Sequence, residues 1–178
     1  PPDGGTMNNK VVTTIARALA ESGIASVRFN FRGVGHSEGV YDQGRGETLD
    51  YLAVAQWLQA QRPNDALWLA GFSFGSWVAL RAARQLPVQQ MVCIAPPVGF
   101  RDFTGVPPPT CPWLVVQGEQ DDVVDPQKVF DWAAAAENPP TLVRMAEAGH
   151  FFHGRLVDLR GAIRNGVRKN LPPLQHQA

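Results

Sequence analysis

The chain has 178 residues, of which 44% are hydrophobic and 18% are charged, and its 16 Lys and Arg balance its 16 Asp and Glu. This composition is typical of a globular protein with a substantial core, and we expect residues 1–178 to form one domain. A net charge of zero without a basic segment argues against binding to nucleic acid or to an anionic membrane surface. The apolar runs fall well short of the roughly 18 residues that a membrane span needs.

Two cysteines, Cys93 and Cys111, lie far apart and form no CxxC pair. This spacing argues against a zinc site or a disulfide framework and favours two buried free thiols. Free thiols are typical of the cytoplasm, where we expect the protein to be located. The chain starts in a loop sequence without an initiating Met, so a targeting segment further upstream stays an open alternative.

Helix and strand patterns alternate along the chain. The predicted elements are, in order, a helix at 9–21, a strand at 24–31, a helix at 47–61, a strand at 66–72, a helix at 73–86, strands at 88–95 and 113–117, a helix at 127–136, a strand at 141–145 and a helix at 154–170. On the 47–61 helix, the expected apolar side carries Leu49, Leu52, Trp57 and Leu58. The alternation predicts an α/β fold, with a mostly parallel sheet covered by helices on both faces. In such sheets, functional residues collect in loops at the carboxyl ends of strands.

The segment Gly71-Phe72-Ser73-Phe74-Gly75 joins a predicted strand directly to a predicted helix. Such a corner strains the backbone of its central residue and leaves room only for small residues two positions to either side. The N–H of Phe74 would face the same space as the Ser73 hydroxyl, at a helix N-terminus that favours negative charge. The pattern predicts that Ser73 is a nucleophile; the alternative is a glycine-rich connection with an incidental serine.

A serine nucleophile needs a base, and histidine suits that role near neutral pH. His176 lies in a polar tail, and His36 lies on a loop after the 24–31 strand. His150 and His153 follow the last predicted strand, and we expect His153 to begin the next helix. We therefore favour His150, which comes first in the loop.

The base in turn needs a carboxylate to orient it. Four acids crowd the end of the 113–117 strand, in the segment GEQDDVVDP at residues 118–126. Asp125, before a proline, is typical of a helix cap. Spacing leaves Asp121 and Asp122 open as the acid. The order of serine, acid and histidine along the chain is the one found in α/β-hydrolases.

The segments GGTMNNKVV, RFNFRGVGHSEG, LWLAGFSFGS, IAPP, VVQGEQDDVVDP and GHFFHGR occur in this order. Together they resemble small, lidless bacterial α/β-hydrolases, esterase-like or uncharacterised, over nearly the whole chain. The resemblance implies an α/β-hydrolase fold with Ser73 as nucleophile and His150 as base. It also implies Asp121 as the acid, because residues 118–124 match the pattern Gly-x-x-Asp-x-Val-Val; Asp122 is the runner-up.

The family fold has three strands before the first helix predicted here, whereas this chain starts in the loop after the third. We therefore expect the sequence to be N-terminally incomplete. That loop usually supplies the second oxyanion-hole amide. The expected donors are the Phe74 N–H and a second donor from Asp3, Gly4 or residues further upstream. Loss of one such donor lowers a rate by about a hundred- to a thousandfold.

The implied reaction is hydrolysis of small or short-acyl carboxylic esters, or thioesters, through an acyl-enzyme. It requires no metal or organic cofactor, and its expected partner is a small-molecule ester. Residues 96–112 are too short for the helical lid that many relatives insert, which favours small substrates. Candidates to line an acyl pocket, with core packing as the alternative for each, are Phe72, Phe74, Phe100, Phe103 and Phe151.

Three other functions are alternatives to ester hydrolysis. The segment RGVGHSEG at residues 32–39 is no dinucleotide site, because the third Gly of GxGxxG falls at Glu38 and no helix starts there. An acyltransferase or a peptidase using the same residues stays open, since the pocket sets the leaving group and the acceptor. A non-catalytic binding or scaffold protein is disfavoured by the complete set of serine, histidine and acid.

Overall fold

The computed structural model describes residues 4–173. The elements are α1 (Lys10–Glu21), α2 (Arg45–Gln61), β1 (Leu67–Phe72), α3 (Phe74–Ala83), β2 (Val88–Ile94), β3 (Trp113–Gly118), α4 (Pro126–Ala134), β4 (Thr141–Met145), α5 (Leu156–Val167) and a final 3₁₀ turn (Arg168–Asn170). The four strands form one sheet in the order β1-β2-β3-β4, and every neighbouring pair is parallel. The predicted α/β class with a parallel sheet is confirmed.

Helices cover both faces of the sheet because alternate residues of its inner strands point in opposite directions. On β2, Val92 and Ile94 pack with α1 and α5. Met91 and Cys93 pack with α3 and α4 on the other face. Burial on both faces explains why these strands read as continuous apolar runs. Both thiols, at Cys93 and Cys111, are free and buried, as the spacing predicted.

The strand predicted at 24–31 is wrong, because these residues form no strand. Their β-rich composition favours an extended chain, but a strand also requires a hydrogen-bonded neighbour. In the described part of the chain, β1 has one strand partner, β2. On the other edge of β1, the Tyr51 hydroxyl donates to Ala70 O at 2.8 Å and accepts from Ala70 N at 3.2 Å.

The apolar side predicted for α2 is wrong in part. Leu52 is buried, but Leu49 is 61% exposed and Trp57 is 55% exposed. The helix packs on α3, and its buried residues include Thr48 and Ala55, which lie in line with Leu52. Its periodicity predicted the helix itself correctly and could not identify the stripe that meets α3. No helix among the described residues is long and apolar enough to cross a membrane.

The strand register aligns the carboxyl ends of the sheet. Phe72 pairs with Ile94, Ile94 pairs with Val116, and Gly118 pairs with Met145. The loops that follow β1, β3 and β4 therefore leave the same edge of the sheet, where side chains from distant parts of the sequence can meet.

Candidate active site

Ser73 lies at the corner between β1 and α3. Its backbone has φ 49° and ψ −120°, a strained conformation for a residue with a side chain. A Cβ on Gly71 would lie 2.4 Å from the backbone of Gly75, which confirms the predicted close approach of strand and helix. A Cβ on Gly75 itself would meet no described atom within 4 Å beyond its chain neighbours and the nearby backbone of α3, so the steric expectation is wrong at that position.

The loops after β3 and β4 are tied together. Glu119 N donates to Met145 O at 2.9 Å, and Gln120 N donates to Ala148 O at 3.0 Å. Gly118 allows this approach, because a Cβ there would lie 2.2 Å from Ala148 O. These contacts hold the segment that carries an acid next to the segment that carries a histidine.

The side chains of Ser73, His150 and Asp121 form a continuous chain of hydrogen bonds. His150 Nδ1 lies 2.8 Å from Asp121 Oδ2, and His150 Nε2 lies 3.1 Å from Ser73 Oγ. A carboxylate only accepts, so the imidazole donates from Nδ1 and its Nε2 is free to accept the serine hydroxyl. His150 is 4% exposed and Asp121 is 8% exposed, so both groups are largely screened from water.

Four donors surround the Asp121 carboxylate. Oδ1 accepts from Val123 N at 2.9 Å and Val124 N at 2.8 Å, and Oδ2 accepts from Gln117 Nε2 at 2.9 Å in addition to His150. Burial alone would raise the pKa of Asp121, but the hydrogen bonds from His150, Val124 and Gln117 outweigh it and lower the pKa. The group is therefore an ionised carboxylate at neutral pH.

The other candidates lie elsewhere. Asp122 is exposed, and Asp125 caps α4 by accepting from Gln127 N, as predicted. His36 and His153 are exposed, and His153 lies ahead of α5 rather than beginning it. His176 lies outside the described residues. Spacing alone had left Asp121 and Asp122 open, and the contact with His150 distinguishes them.

Sequence reasoning missed Gln117, which contacts Asp121 from the end of β3. A signal was available, because the strand reads WLVVQG and an amide in an otherwise apolar run is unusual in a buried strand.

A cavity of about 470 Å³ opens at Ser73. His150, Phe72, Phe74 and Phe151 are among its lining residues. The Phe72 ring lies 5.1 Å from the His150 ring, between centroids, so an aromatic wall adjoins the hydroxyl and the imidazole. Three of the five phenylalanines expected at a pocket thus line this cavity.

The remaining two phenylalanines lie apart from it. Phe100 is 68% exposed and lines a separate cavity of about 300 Å³ together with Asp121 and Asp122. Phe103 packs edge-on against Trp132, at 5.1 Å between ring centroids, within an apolar cluster on the α3 and α4 face. The expected pocket role of Phe103 is corrected to core packing, because its ring packs within that cluster and does not line the cavity at Ser73.

The residues expected to donate to an oxyanion also differ in whether they lie at the cavity. Phe74 is the first residue of α3, so its N–H has no acceptor within the helix. Asp3 lies outside the described residues, and Gly4 is not among the residues that line the cavity at Ser73. Gly5, Thr6 and Met7 do line it, and Met7 N already donates to Asn30 Oδ1 at 2.8 Å.

Comparisons with known proteins identify the family of the chain. Residues 4–106 match the family model of X-Pro dipeptidyl-peptidase (S15 family). A solved structure from Xanthomonas campestris, described as an α/β serine hydrolase without lid, is 57% identical, has a TM-score of 0.94, and is matched over 98% of this chain and 79% of that chain. The chain belongs to the α/β-hydrolase superfamily. The resemblance and the fold class inferred from the motifs are confirmed.

Two further relatives of this α/β-hydrolase extend the match. An α/β serine hydrolase homologue from Coxiella burnetii is 47% identical with a TM-score of 0.90, over 93% of this chain and 79% of that chain. An uncharacterised protein from Rickettsia prowazekii is 34% identical over 169 residues, which are 89% of this chain and 71% of the relative. In the described chain no helix lies between β2 and β3, the position at which the family resemblance places a lid.

Proposed function

We propose that this α/β-hydrolase cleaves small or short-acyl carboxylic esters, or thioesters, through an acyl-enzyme on Ser73. The observation that supports this most strongly is the hydrogen-bonded relay from Ser73 Oγ through His150 to Asp121. A hydroxyl on a strained corner, an imidazole that can accept its proton and an ionised carboxylate behind the imidazole are the parts that nucleophilic acyl transfer needs.

In the proposed reaction, Ser73 Oγ attacks the ester carbonyl carbon while His150 Nε2 takes the hydroxyl proton. Asp121 stabilises the imidazolium, and the Phe74 N–H, at the start of α3, donates to the oxygen on which negative charge develops. The carbonyl re-forms as the C–O bond to the alcohol breaks, and His150 protonates the leaving alcohol. A water molecule then repeats these steps on the acyl-serine and releases the acid.

The surroundings of Ser73 support the proposed substrate class. Phe72, Phe74 and Phe151 give the cavity an aromatic wall, which suits an uncharged acyl group. Residues 95–112 contain no helix that could form an apolar cover for a long chain. These features support a short acyl group, rather than a long lipid chain, as the proposed substrate.

A series of p-nitrophenyl esters tests this proposal. We expect kcat/KM to be higher for the acetate and butyrate than for the decanoate. Ser73→Ala should lower kcat by at least about a thousandfold, since the nucleophile is lost. Ser22→Ala is the matched control, because its hydroxyl donates to Ala18 O at the end of α1, and it should leave kcat unchanged. A clear preference for the decanoate would contradict the small-substrate proposal.

Peptidase activity is a second candidate, favoured by the match of residues 4–106 to the X-Pro dipeptidyl-peptidase family model. The same serine, histidine and acid can cleave an amide, provided that the site binds the peptide. An X-Pro dipeptide p-nitroanilide distinguishes the two activities: turnover of the anilide above that of the acetate ester would favour the peptidase. Turnover of neither substrate, with no acyl transfer to an added alcohol, would favour a non-catalytic binding protein.

A further inference from the structure

Gln117 is a fully buried amide at the carboxyl end of β3, where the preceding residues Trp113–Val116 are apolar. Its Nε2 donates to Gly118 O at 3.1 Å and to Asp121 Oδ2 at 2.9 Å. Its Oε1 has no hydrogen-bond partner among the described residues. A buried polar atom without a partner destabilises a folded protein, so the presence of an amide here requires an explanation.

The amide has only one favourable orientation. Gly118 O and Asp121 Oδ2, the two atoms at its inner end, are both acceptors. A flipped amide would place Oε1 against both of them. The side chain therefore gains its donor contacts and leaves Oε1 unpaired, whereas an apolar side chain of similar length would fill this position in β3 without that penalty.

Gln117 also restrains the Asp121 carboxylate. Oδ1 is held by two backbone amides, of Val123 and Val124, whereas Oδ2 is held by two side chains, those of Gln117 and His150. Without Gln117, the imidazole would be the one remaining side-chain donor to Oδ2 in the described part of the chain, and this oxygen would present more negative charge to His150 Nδ1.

We propose that Gln117 is a positioning residue of the Ser73–His150–Asp121 relay. Its N–H fixes the plane of the carboxylate and reduces the negative charge that Oδ2 presents to the imidazole. The role of Gln117 in catalysis rests on the proposed function, since Gln117 acts through Asp121 and touches no reacting atom.

Other charged and titratable groups lie near Asp121 and also act on this relay. His150 faces the carboxylate from the loop after β4. Asp122, Asp125 and Lys128 share the smaller cavity with Asp121, from the loop after β3 and from α4. A substitution of Gln117 leaves all of them in place, so its effect can be assigned to the lost donor.

Gln117→Met tests the proposal, because methionine keeps the length of the side chain and removes the donor. We expect kcat/KM for p-nitrophenyl acetate to fall about tenfold, since a hydrogen bond to a charged group contributes on that order. The acidic limb of the kcat/KM–pH profile should move to higher pH, because a carboxylate with one donor fewer stabilises a neighbouring positive charge more strongly. The proton NMR resonance of the His150 Nδ1–H should move downfield for the same reason.

Gln117→Glu gives an independent readout. A protonated glutamic acid can donate to Asp121 Oδ2, whereas an ionised one places two carboxylates side by side. The ratio of kcat/KM between Gln117→Glu and Gln117→Met should therefore be highest at low pH and fall as pH rises. A ratio that does not change with pH would contradict the donor role.

Gln90→Met is the matched control. Gln90 is a buried glutamine in β2 whose Nε2 likewise donates to the next carbonyl, Met91 O. Its Oε1 accepts from Asn170, and its amide donates to no carboxylate among the described residues. This variant should lose stability and keep the wild-type pH profile and Nδ1–H resonance. If Gln117→Met behaves in the same way, Gln117 is structural and the proposal fails. If the wild type does not hydrolyse esters but the resonance still responds to Gln117→Met, the proposed function fails and the positioning role stands.

Discussion

Asp121 and Asp122 are adjacent in the chain, but their carboxylates have different surroundings. Asp121 is buried and contacts His150, whereas Asp122 is exposed beside the smaller cavity. We expect Asp121→Asn to lower kcat for an ester by about a thousand- to ten-thousandfold, because an amide facing Nδ1 favours the imidazole tautomer that cannot take the serine proton. Asp122→Asn should keep kcat within about twofold, because its charge lies outside the relay. Equal losses in the two variants would contradict the assignment of Asp121.

At the scale of single residues, the sequence predicted the site residues whose positions are determined by the ends of strands. Ser73 and His150 each follow a strand, and the sheet brings the ends of its strands to one edge, so their meeting could be foreseen. The choice between Asp121 and Asp122 depended on a family pattern, since either of two neighbours in a loop can turn inward. Gln117 was missed because its role depends on the fold of the loop that returns Asp121 to the end of β3.

The junction of β3 with the loop after β4 sets the distance between acid and histidine. Gly118→Ala would place a Cβ 2.2 Å from Ala148 O, a backbone atom that can yield only if the loop carrying His150 moves. We expect kcat/KM for an ester to fall about a hundredfold, because a misplacement on the order of 1 Å has that effect. Overpacking should also lower the free energy of unfolding by about 1–3 kcal/mol.

Gly161→Ala is the control for this element. Gly161 lies in α5, and a Cβ there meets no described atom within 4 Å beyond its chain neighbours and the nearby backbone of α5. Alanine should raise the free energy of unfolding by about 0.5–1 kcal/mol, since it reduces the freedom of the unfolded chain, and should leave kcat/KM unchanged. Urea denaturation and ester kinetics on both variants check the pair. Wild-type kinetics in Gly118→Ala would show that the two loops are not coupled.

At the scale of elements, the sequence predicts that a helix or strand forms more readily than it predicts which other elements that helix or strand contacts. The bounds of β4 matched the prediction at residues 141–145 because a short apolar run was bounded by turn residues. The strand predicted at residues 24–31 is wrong because a strand requires hydrogen bonds to a second segment. Composition describes one segment alone. The stripe of α2 that meets α3 also depends on a second element, so the buried side predicted for Leu49 and Trp57 is wrong.

The whole molecule should lose stability in acid through carboxylates held by native contacts. At Asp50, burial opposes ionisation, but the hydrogen bonds from Arg32 outweigh it and lower the pKa, as His150, Val124 and Gln117 do for Asp121. A pKa that is lower in the folded state gives stability that is present above the ordinary value of about 3.9 and lost as pH falls through the folded value. The free energy of unfolding should therefore decline below about pH 4.

Asp50→Asn tests this expectation. This substitution removes a carboxylate with a lowered pKa that lies outside the relay. The free energy of unfolding should therefore fall less steeply than in the wild type as pH drops below about 4. Asp65→Asn is the control, because Asp65 forms an exposed ion pair with Arg62, and such pairs contribute little. Urea denaturation from pH 7 to pH 3 measures all three proteins. Parallel curves for the wild type and Asp50→Asn would contradict the prediction.

The central proposal is that Ser73 is the nucleophile of a serine hydrolase, and covalent labelling tests it most directly. The protein is treated with a fluorophosphonate, and the adduct is located by intact-mass measurement and peptide mapping. We expect a single adduct on Ser73, absent from Ser73→Ala and formed at least about a hundredfold more slowly in His150→Ala, since a serine hydroxyl without its base is a poor nucleophile. An unlabelled protein, or an adduct that persists in Ser73→Ala, would contradict the proposal.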